Sequence, residues 1–510
     1  MQPESAELRR EAGILLHPTS LPGPHGVGDI GASARRFVDW LASAGLSLWQ
    51  VLPLGPTDNN SPYMCWSALA GNPLLIDLFL LYEDGLLDEA DVQTPEIASG
   101  SHVDYAAARA FKEPRISKAA RRLLERVEST SHPLAARYLA FREREAWAPE
   151  AALFAVLKQR HGNVAWWDWP APLRDRDPEA LAQIEKELEA EIEEATATLF
   201  LFDHQWAELK AYCHARGVRV IGDIPIYVDR NSADVWAHRD LFFLDEKGLP
   251  TGIAGVPPDY FSELGQLWGN PLYRWERMAK DDYAWWRTRI GRALNYADFV
   301  RIDHFRGLAS YWDVPFGAPD ARGGRWVKGP GIAFFQALER HMGRIPLIAE
   351  DLGLIDDSVV ELREAAGLPG MRVLQFAFGG EADNTHLPHN YTTDSVVYPG
   401  THDNDTTVGW WRSSPPHVRT HVQRYFRVSG DHIHWDLITA AFASVGQVAI
   451  VAMQDVLGLG SEARMNTPAE PEGNWGWRLG ADQFHGDLAR RLRELAELYG
   501  RIERPSKQEG

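Results

Sequence analysis

The chain has 510 residues, long for one ordinary domain but within the range of a barrel enlarged by insertions. Lys and Arg total 52 against 71 Asp and Glu, and the resulting net charge of −19 argues against nucleic acid or an anionic membrane surface as partner. Two cysteines, Cys65 and Cys213, give neither a disulfide framework nor a thiolate metal site.

The opening residues carry no apolar leader, and no run of about 18 apolar residues follows, so a cytoplasmic monomer with no membrane partner is expected. Twenty Trp, 15 Tyr and 20 Phe make a heavy aromatic load. Flat rings beside carboxylates and amides suit sugars, whose apolar faces stack while their hydroxyls need polar partners.

In chain order, Gly13 to Leu16 is a short apolar run before a Pro/Gly-rich loop. A helical stretch from Ser33 to Ala44 closes on Gly45, and Leu46 to Leu52 follows as an apolar strand. The same unit of helix, glycine and strand returns at Gly217, Gly367 and Gly446, each glycine standing where a helix C-terminus requires one. Eight strands are predicted, at about 13–16, 46–52, 218–222, 298–303, 346–350, 371–376, 395–399 and 447–453. Alternation with helices implies a parallel sheet, and eight strands imply a closed (β/α)8 TIM barrel, with an open doubly wound sheet as the alternative. No Gly-x-Gly-x-x-Gly follows the first strand, so a dinucleotide cofactor is not expected, nor any other.

The chain is read as one elaborated catalytic domain over 1–510. Two long intervals interrupt the barrel: a helical subdomain at 78–200, and a second insertion at 229–297 whose loop 251–271 is polar and aromatic. In the first, Asp177-Pro178 reads as an N-cap and N1 pair opening a long charged helix with Leu181, Ile184, Leu188 and Ile192 on one face. The tail after 453 is too short and too helical for an appended β-sandwich.

The strand ends carry the chemistry. The third ends at Asp223, the fourth at Arg301-Ile-Asp303-His304, the fifth at Glu350-Asp351 and the seventh at His402-Asp403. A closed barrel converges these ends on one pocket. Alternation puts Arg301 and Asp303 on one face, and the guanidinium should keep Asp303 ionised. Glu350 follows an apolar strand, so desolvation should keep it protonated; Asp351 is its rival, and only one of the two can face the pocket. Two carboxyls in opposed protonation states are what glycoside chemistry needs.

Several longer motifs accompany these carboxylates: His17 to Pro22, Gln50 to Thr57, Ser61-Pro62-Tyr63, Gly71 to Leu74, Gly222 to Val228, Gly255 to Ser262, Gln266 to Pro271, Arg301 to Gly307, Ala349 to Gly353, Gly400 to Asp403 and Gly473 to Trp477. With them the chain resembles the amylomaltases, 4-α-glucanotransferases of the α-amylase-like barrel group, over nearly its whole length. The resemblance implies a retaining transfer of α-1,4-glucan segments to the 4-hydroxyl of another glucan, with cyclic products possible and maltooligosaccharides as substrates. It implies Asp303 as nucleophile, Glu350 as acid/base and Asp403 as transition-state stabiliser. Arg301, His304 and His402 would hold the nucleophile and the sugar, and Ser61, Tyr63, Asp223, Asp259, Gln266 and Trp268 would line the substrate groove, with Tyr260 beside them on its loop. Met64-Cys65-Trp66 and Leu69 depart from the family pattern.

The nearest alternative is a retaining α-glucan hydrolase with the same trio. A non-catalytic glucan-binding barrel and a metalloenzyme built on His402, Asp403 and Asp405 are the rivals from other classes. No metal is expected.

Overall fold

A computed structural model of the protein describes residues 7–93, 100–129, 133–258, 262–470 and 472–502. Eight parallel strands form one sheet: Glu11–Leu15, Leu48–Gln50, Arg219–Pro225, Phe299–Asp303, Leu347–Ala349, Gly370–Val373, Ser395–Tyr398 and Val448–Ala452. All eight lie where the hydrophobic runs placed them. Pairing proceeds from the sixth strand through the seventh, eighth, first, second, third and fourth to the fifth. The remaining seam is bridged where Ala349 N–H donates to the Pro369 carbonyl at 2.9 Å, and where Met371 N–H donates to the Asp351 carboxylate at 2.6 Å. The architecture is the expected (β/α)8 barrel, not an open sheet.

Side-chain alternation divides the strands into two faces. Leu15, Leu48, Ile221, Phe299, Ile348, Met371, Val373, Val396, Val448 and Ile450 pack together as a buried cluster inside the barrel. Residues of opposite parity, such as Val300, Ile302, Val220 and Val451, pack outward against the helices. Two residues beyond Ile221, Phe299 and Ile348 along their strands come Asp223, Arg301 and Glu350. The same parity that fills the barrel with aliphatic side chains therefore aims these three inward at its C-terminal mouth.

Between the second and third strands the chain is helical. Tyr105–Glu128 and Trp147–Arg160 both pack on Glu189–Ala215. Asp177 caps Pro178–Glu187 by accepting the N–H groups of Glu179 at 3.1 Å and Ala180 at 2.9 Å. The single long helix expected from this point is two: Leu188, at φ −107° and ψ 21°, breaks it, and Glu189–Ala215 begins anew. Glu189 and Glu191 in that first turn complement the new N-terminus, while Leu188 turns into the core. The second helix passes without interruption through residue 200, where the helical subdomain was expected to end, and packs against the third strand.

Two stretches of the interval 251–271, expected as loop, are strands. Gly252–Val256 and Gln266–Pro271 join Ser310–Pro315 and Arg325–Lys328 in a four-stranded antiparallel sheet, with Gly252–Val256 and Ser310–Pro315 at its centre. The Gly, Pro and Asn residues in these runs mask the strand signal. Among the described residues no helix is long and apolar enough to cross a membrane.

Candidate active site

Strand register builds the centre of the site. Asp223 lies directly opposite Arg301, and Pro225 opposite Asp303. Arg301 thereby reaches both carboxylates, Asp223 at 2.6 Å and Asp303 at 2.8 Å, and its Nε points at the Met371 thioether at 3.4 Å. Asp223 also accepts the Tyr63 hydroxyl at 2.7 Å. Burial pushes the Asp223 carboxyl up to about 7, against the opposing pull of Arg301. Asp303 is the most open of this set, with 27 % of its side chain exposed.

Glu350 is held from two sides: its Oε2 accepts the N–H of His304 at 2.7 Å and its Oε1 that of Leu352 at 3.0 Å. Burial raises its pKa well above the usual carboxylate range; Arg301 opposes this and the charge of Asp303 adds to it. One guanidinium thus serves three neighbouring carboxyls, and desolvation decides that Glu350 keeps its proton. Asp351 points the other way. Besides the Met371 N–H it meets Arg363 at 3.4 Å and Arg372 at 3.5 Å, so it belongs to the barrel seam. The choice between the two adjacent carboxylates falls on Glu350.

Above this centre lies a groove of about 1090 Å³ whose lining includes Ser61, Tyr63, Gln266, Trp268, Asp303, His304, His402 and Asp403. Glu350 adjoins this wall through His304, whose main-chain N–H it accepts. His304 has φ 53°, a left-handed backbone for a β-carbon-bearing residue, and burial pushes its imidazole down to about 3. Trp268 stands edge-on to His304 with ring centroids 4.7 Å apart, and its indole N–H donates to Gln266 at 3.1 Å. Tyr63 stacks on His402 at 5.1 Å. His402 is buried, which lowers its pKa, and its Nε2 is 3.4 Å from Asp403. Ser61 accepts the Tyr63 N–H at 3.3 Å, fixing that turn. Asp259 and Tyr260 lie outside the described residues.

Three further residues shape the site without having been assigned a role from the sequence. Asn466 donates to the Asp403 carboxylate at 2.6 Å, Arg464 donates to the Asp403 carbonyl at 2.7 Å, and Trp475 packs against both Tyr63 and His402. The Gly473 to Trp477 motif pointed to Trp475, whereas nothing local marked Asn466 or Arg464. The metal alternative loses its geometry: Asp405 turns to the Ser461 hydroxyl at 2.7 Å, away from His402 and Asp403. A His-x3-His pair does exist at His417 and His421 on a distant helix, but His421 Nδ1 accepts the Gly379 N–H at 3.1 Å. That bond leaves its Nε2 as a donor, the wrong tautomer for a ligand.

Comparison with known proteins places this arrangement. The profile of the 4-alpha-glucanotransferase family matches residues 16–482. The chain is 49 % identical over 504 residues to the chloroplastic/amyloplastic 4-alpha-glucanotransferase DPE1 of Arabidopsis thaliana, covering 97 % of this chain and 86 % of the relative. It is 48 % identical over 506 residues to the 4-alpha-glucanotransferase of Thermus thermophilus, covering 97 % of this chain and 100 % of the relative. The amylomaltase of Streptococcus agalactiae, solved in complex with acarbose, superposes with a TM-score of 0.93 at 36 % identity, covering 97 % of this chain and 100 % of that one. By sequence and by structure the chain belongs to the 4-alpha-glucanotransferase family.

Proposed function

We propose that this 4-alpha-glucanotransferase works by a retaining double displacement in which Asp303 is the nucleophile and Glu350 the acid and then the base. The observation that carries the reading is the shared guanidinium. Arg301 holds Asp303 at 2.8 Å, while burial keeps the proton on Glu350. Asp303 attacks the anomeric carbon, the bond to the leaving 4-oxygen breaks, and the Glu350 proton passes to that oxygen. Glu350, now a carboxylate, takes the proton of an incoming 4-hydroxyl whose oxygen displaces Asp303. Configuration is inverted twice and so retained.

Asp403, with 46 % of its side chain exposed at the groove, grips sugar hydroxyls, and Asn466 sets its direction. Tyr63, Asp223 and Arg301 hold the nucleophile, while His304, His402, Gln266 and Trp268 seat the sugars. His304 stays neutral at every working pH and serves as a hydrogen-bonding group, not as an acid. The substrates in this reading are α-1,4-glucans and maltooligosaccharides, in line with the acarbose bound by the Streptococcus agalactiae amylomaltase. Cyclic glucan as a further product, and a cytoplasmic monomer without nucleic-acid or membrane partners, complete the proposal; the net charge of −19 supports its last part.

Incubation with maltotriose tests the reading. Glucose together with a ladder of longer maltooligosaccharides is the expected result. Glucose and maltose alone would make the chain a hydrolase.

A further inference from the structure

Beyond the groove, the outer face of the antiparallel sheet carries an aromatic stripe to which nothing above gives a role. Leu267, Gly255, Trp312 and Trp326 lie side by side on four adjacent strands, so their side chains share one face. Leu267 lines the groove at one end of this row. Trp326, at the other end, is on the edge strand Arg325–Lys328 and is 42 % exposed. Trp312 lies between them, its indole N–H donating to the Ala321 carbonyl at 2.8 Å.

Trp326 is held rigidly although it is exposed. The Arg306 guanidinium covers one ring face at 3.9 Å from its centroid, and Trp312 meets it at 5.1 Å with an interplanar angle of 66°. At 42 % exposure the residue keeps accessible surface despite both contacts. Arg306 is itself buried, donating through Nη1 to the Leu354 carbonyl and through Nη2 to Asp356 at 3.0 Å and Ser310 at 3.2 Å, while its Nε meets no acceptor.

The position of the shelf relates it to one side of the scissile bond. Leu354 and Asp356 are on the loop that leaves Glu350, and Arg306 is three residues beyond Asp303. The turn that joins the two tryptophan strands places Pro319 and Asp320 in the groove wall, and its Ala321 N–H donates to the carbonyl of Leu264, another wall residue, at 3.0 Å. Lys328, two residues after Trp326 and so on the same face, is exposed and brings donors that sugar hydroxyls can use.

We infer that Trp326 is an outlying binding platform for glucan, on which a glucosyl unit of the leaving or acceptor chain stacks, some distance from the bond being broken. The chemistry fits a neutral α-linked chain: an exposed indole surface for the apolar side of a pyranose, with the exposed Lys328 on the same sheet face. The acid donates to the leaving chain, and the shelf is braced against the acid's own loop, which assigns it to that side of the bond. A short substrate spans only the centre of the groove, so the platform acts on long chains.

The inference rests on the transferase reading, and the test separates the two. Wild-type enzyme is first shown to build the maltotriose ladder; failure there removes the reading itself. The kcat/KM for transfer with long amylose chains is then divided by that with maltotriose, for wild type, Trp326→Ala and Trp326→Phe. The expected result is a ratio about five- to tenfold lower in Trp326→Ala, carried by KM, with most of it restored in Trp326→Phe. A loss of folding would depress both substrates together and leave the ratio alone, and the thermal midpoint of each variant records it. A ratio within twofold of wild type in a folded Trp326→Ala enzyme overturns the inference. If Trp326→Ala does not fold, the same ratio for Trp326→Phe and Trp326→Leu decides: equal ratios in those two overturn it, and a lower one in the leucine variant supports it.

Discussion

The main-chain N–H of His304 donates to Oε2 of Glu350 at 2.7 Å, so the residue that follows the nucleophile in the chain also positions the acid. The left-handed backbone at His304, φ 53°, aims that N–H. A conformation of this kind costs on the order of 1 kcal/mol and persists where the surroundings impose it. Asp303 and Glu350 come from adjacent strands, and this one bond fixes their separation more tightly than two independent strand ends would.

The pH dependence of transfer follows from the proton on Glu350. Burial raises its pKa well above the ordinary 4.5, so the acid form persists above the usual carboxylate range and is lost as pH rises through the raised value. The His304 imidazole, pushed down to about 3, adds no limb above pH 5. A profile of kcat/KM on maltotriose between pH 4 and pH 9 should therefore show an alkaline decline. Activity that climbs without a break to pH 9 would contradict this assignment of the acid.

Asp223 provides a stability measurement with a definite sign. Its pKa in the folded protein is about 7 against an ordinary value of 3.8. A raised folded value means that the stability it contributes is complete below about pH 4 and is lost progressively as pH rises to about 7. Asp223→Asn carries no proton equilibrium there and escapes the loss. The thermal midpoint of the variant relative to wild type should rise between pH 4 and pH 8, by a free energy of at most about 4 kcal/mol at about 1.4 kcal/mol per pH unit. A difference that stays constant with pH would show that Asp223 has an ordinary pKa.

Asp351 and Glu350 are neighbours in sequence with separate duties, and substitution should divide them. Asp351→Ala removes the carboxylate that Arg363 and Arg372 share and opens the seam at Met371. Breaking such a buried cluster costs about 3 kcal/mol, visible as a thermal midpoint lowered by several degrees, while kcat well below that midpoint stays near wild type. Glu350→Ala should reverse the pattern, with kcat down by at least about a thousandfold. If Asp351→Ala abolishes kcat in the folded protein, the two roles are exchanged.

Asn466 tests how Asp403 is aimed. Its amide donates to the Asp403 carboxylate at 2.6 Å. Losing a hydrogen bond to a charged group costs about 1.5 to 3 kcal/mol, so Asn466→Ala should lower kcat/KM for maltotriose by roughly 10- to 100-fold. Asn466→Asp, which sets a second carboxylate against the first, should be worse than alanine. Equal activities for wild type and Asn466→Ala would leave the direction of Asp403 to Arg464 and His402.

Much of this molecule can be read from its chain because barrel strands are short apolar runs punctuated by glycine, and alternation then sorts their ends. Arg301 and Asp303 are legible in that way; for Glu350 and Asp351 parity says only that one of the two faces the mouth, and it is the contacts with Met371, Arg363 and Arg372 that turn Asp351 to the seam. The antiparallel sheet is not legible, since Gln266–Pro271 draws its order from cross-strand partners, not from its own Gly, Asn and Pro residues. The break at Leu188 is hidden for a related reason: the apolar spacing continues across it, and only packing against the core distinguishes one helix from two. Asn466 and Arg464 act on Asp403 across about 60 residues of chain, a pairing that no local pattern encodes.

Trapping the covalent intermediate tests the central claim most directly. In Glu350→Gln, a maltosyl fluoride with α configuration can still react, because fluoride leaves without an acid, while the second displacement lacks its base. Peptide mass spectrometry of the quenched variant should then find a glycosyl ester on Asp303. A label on Asp223, Glu350→Gln or Asp403, or the absence of any label together with a product of inverted configuration, would contradict the assignment of Asp303 as nucleophile.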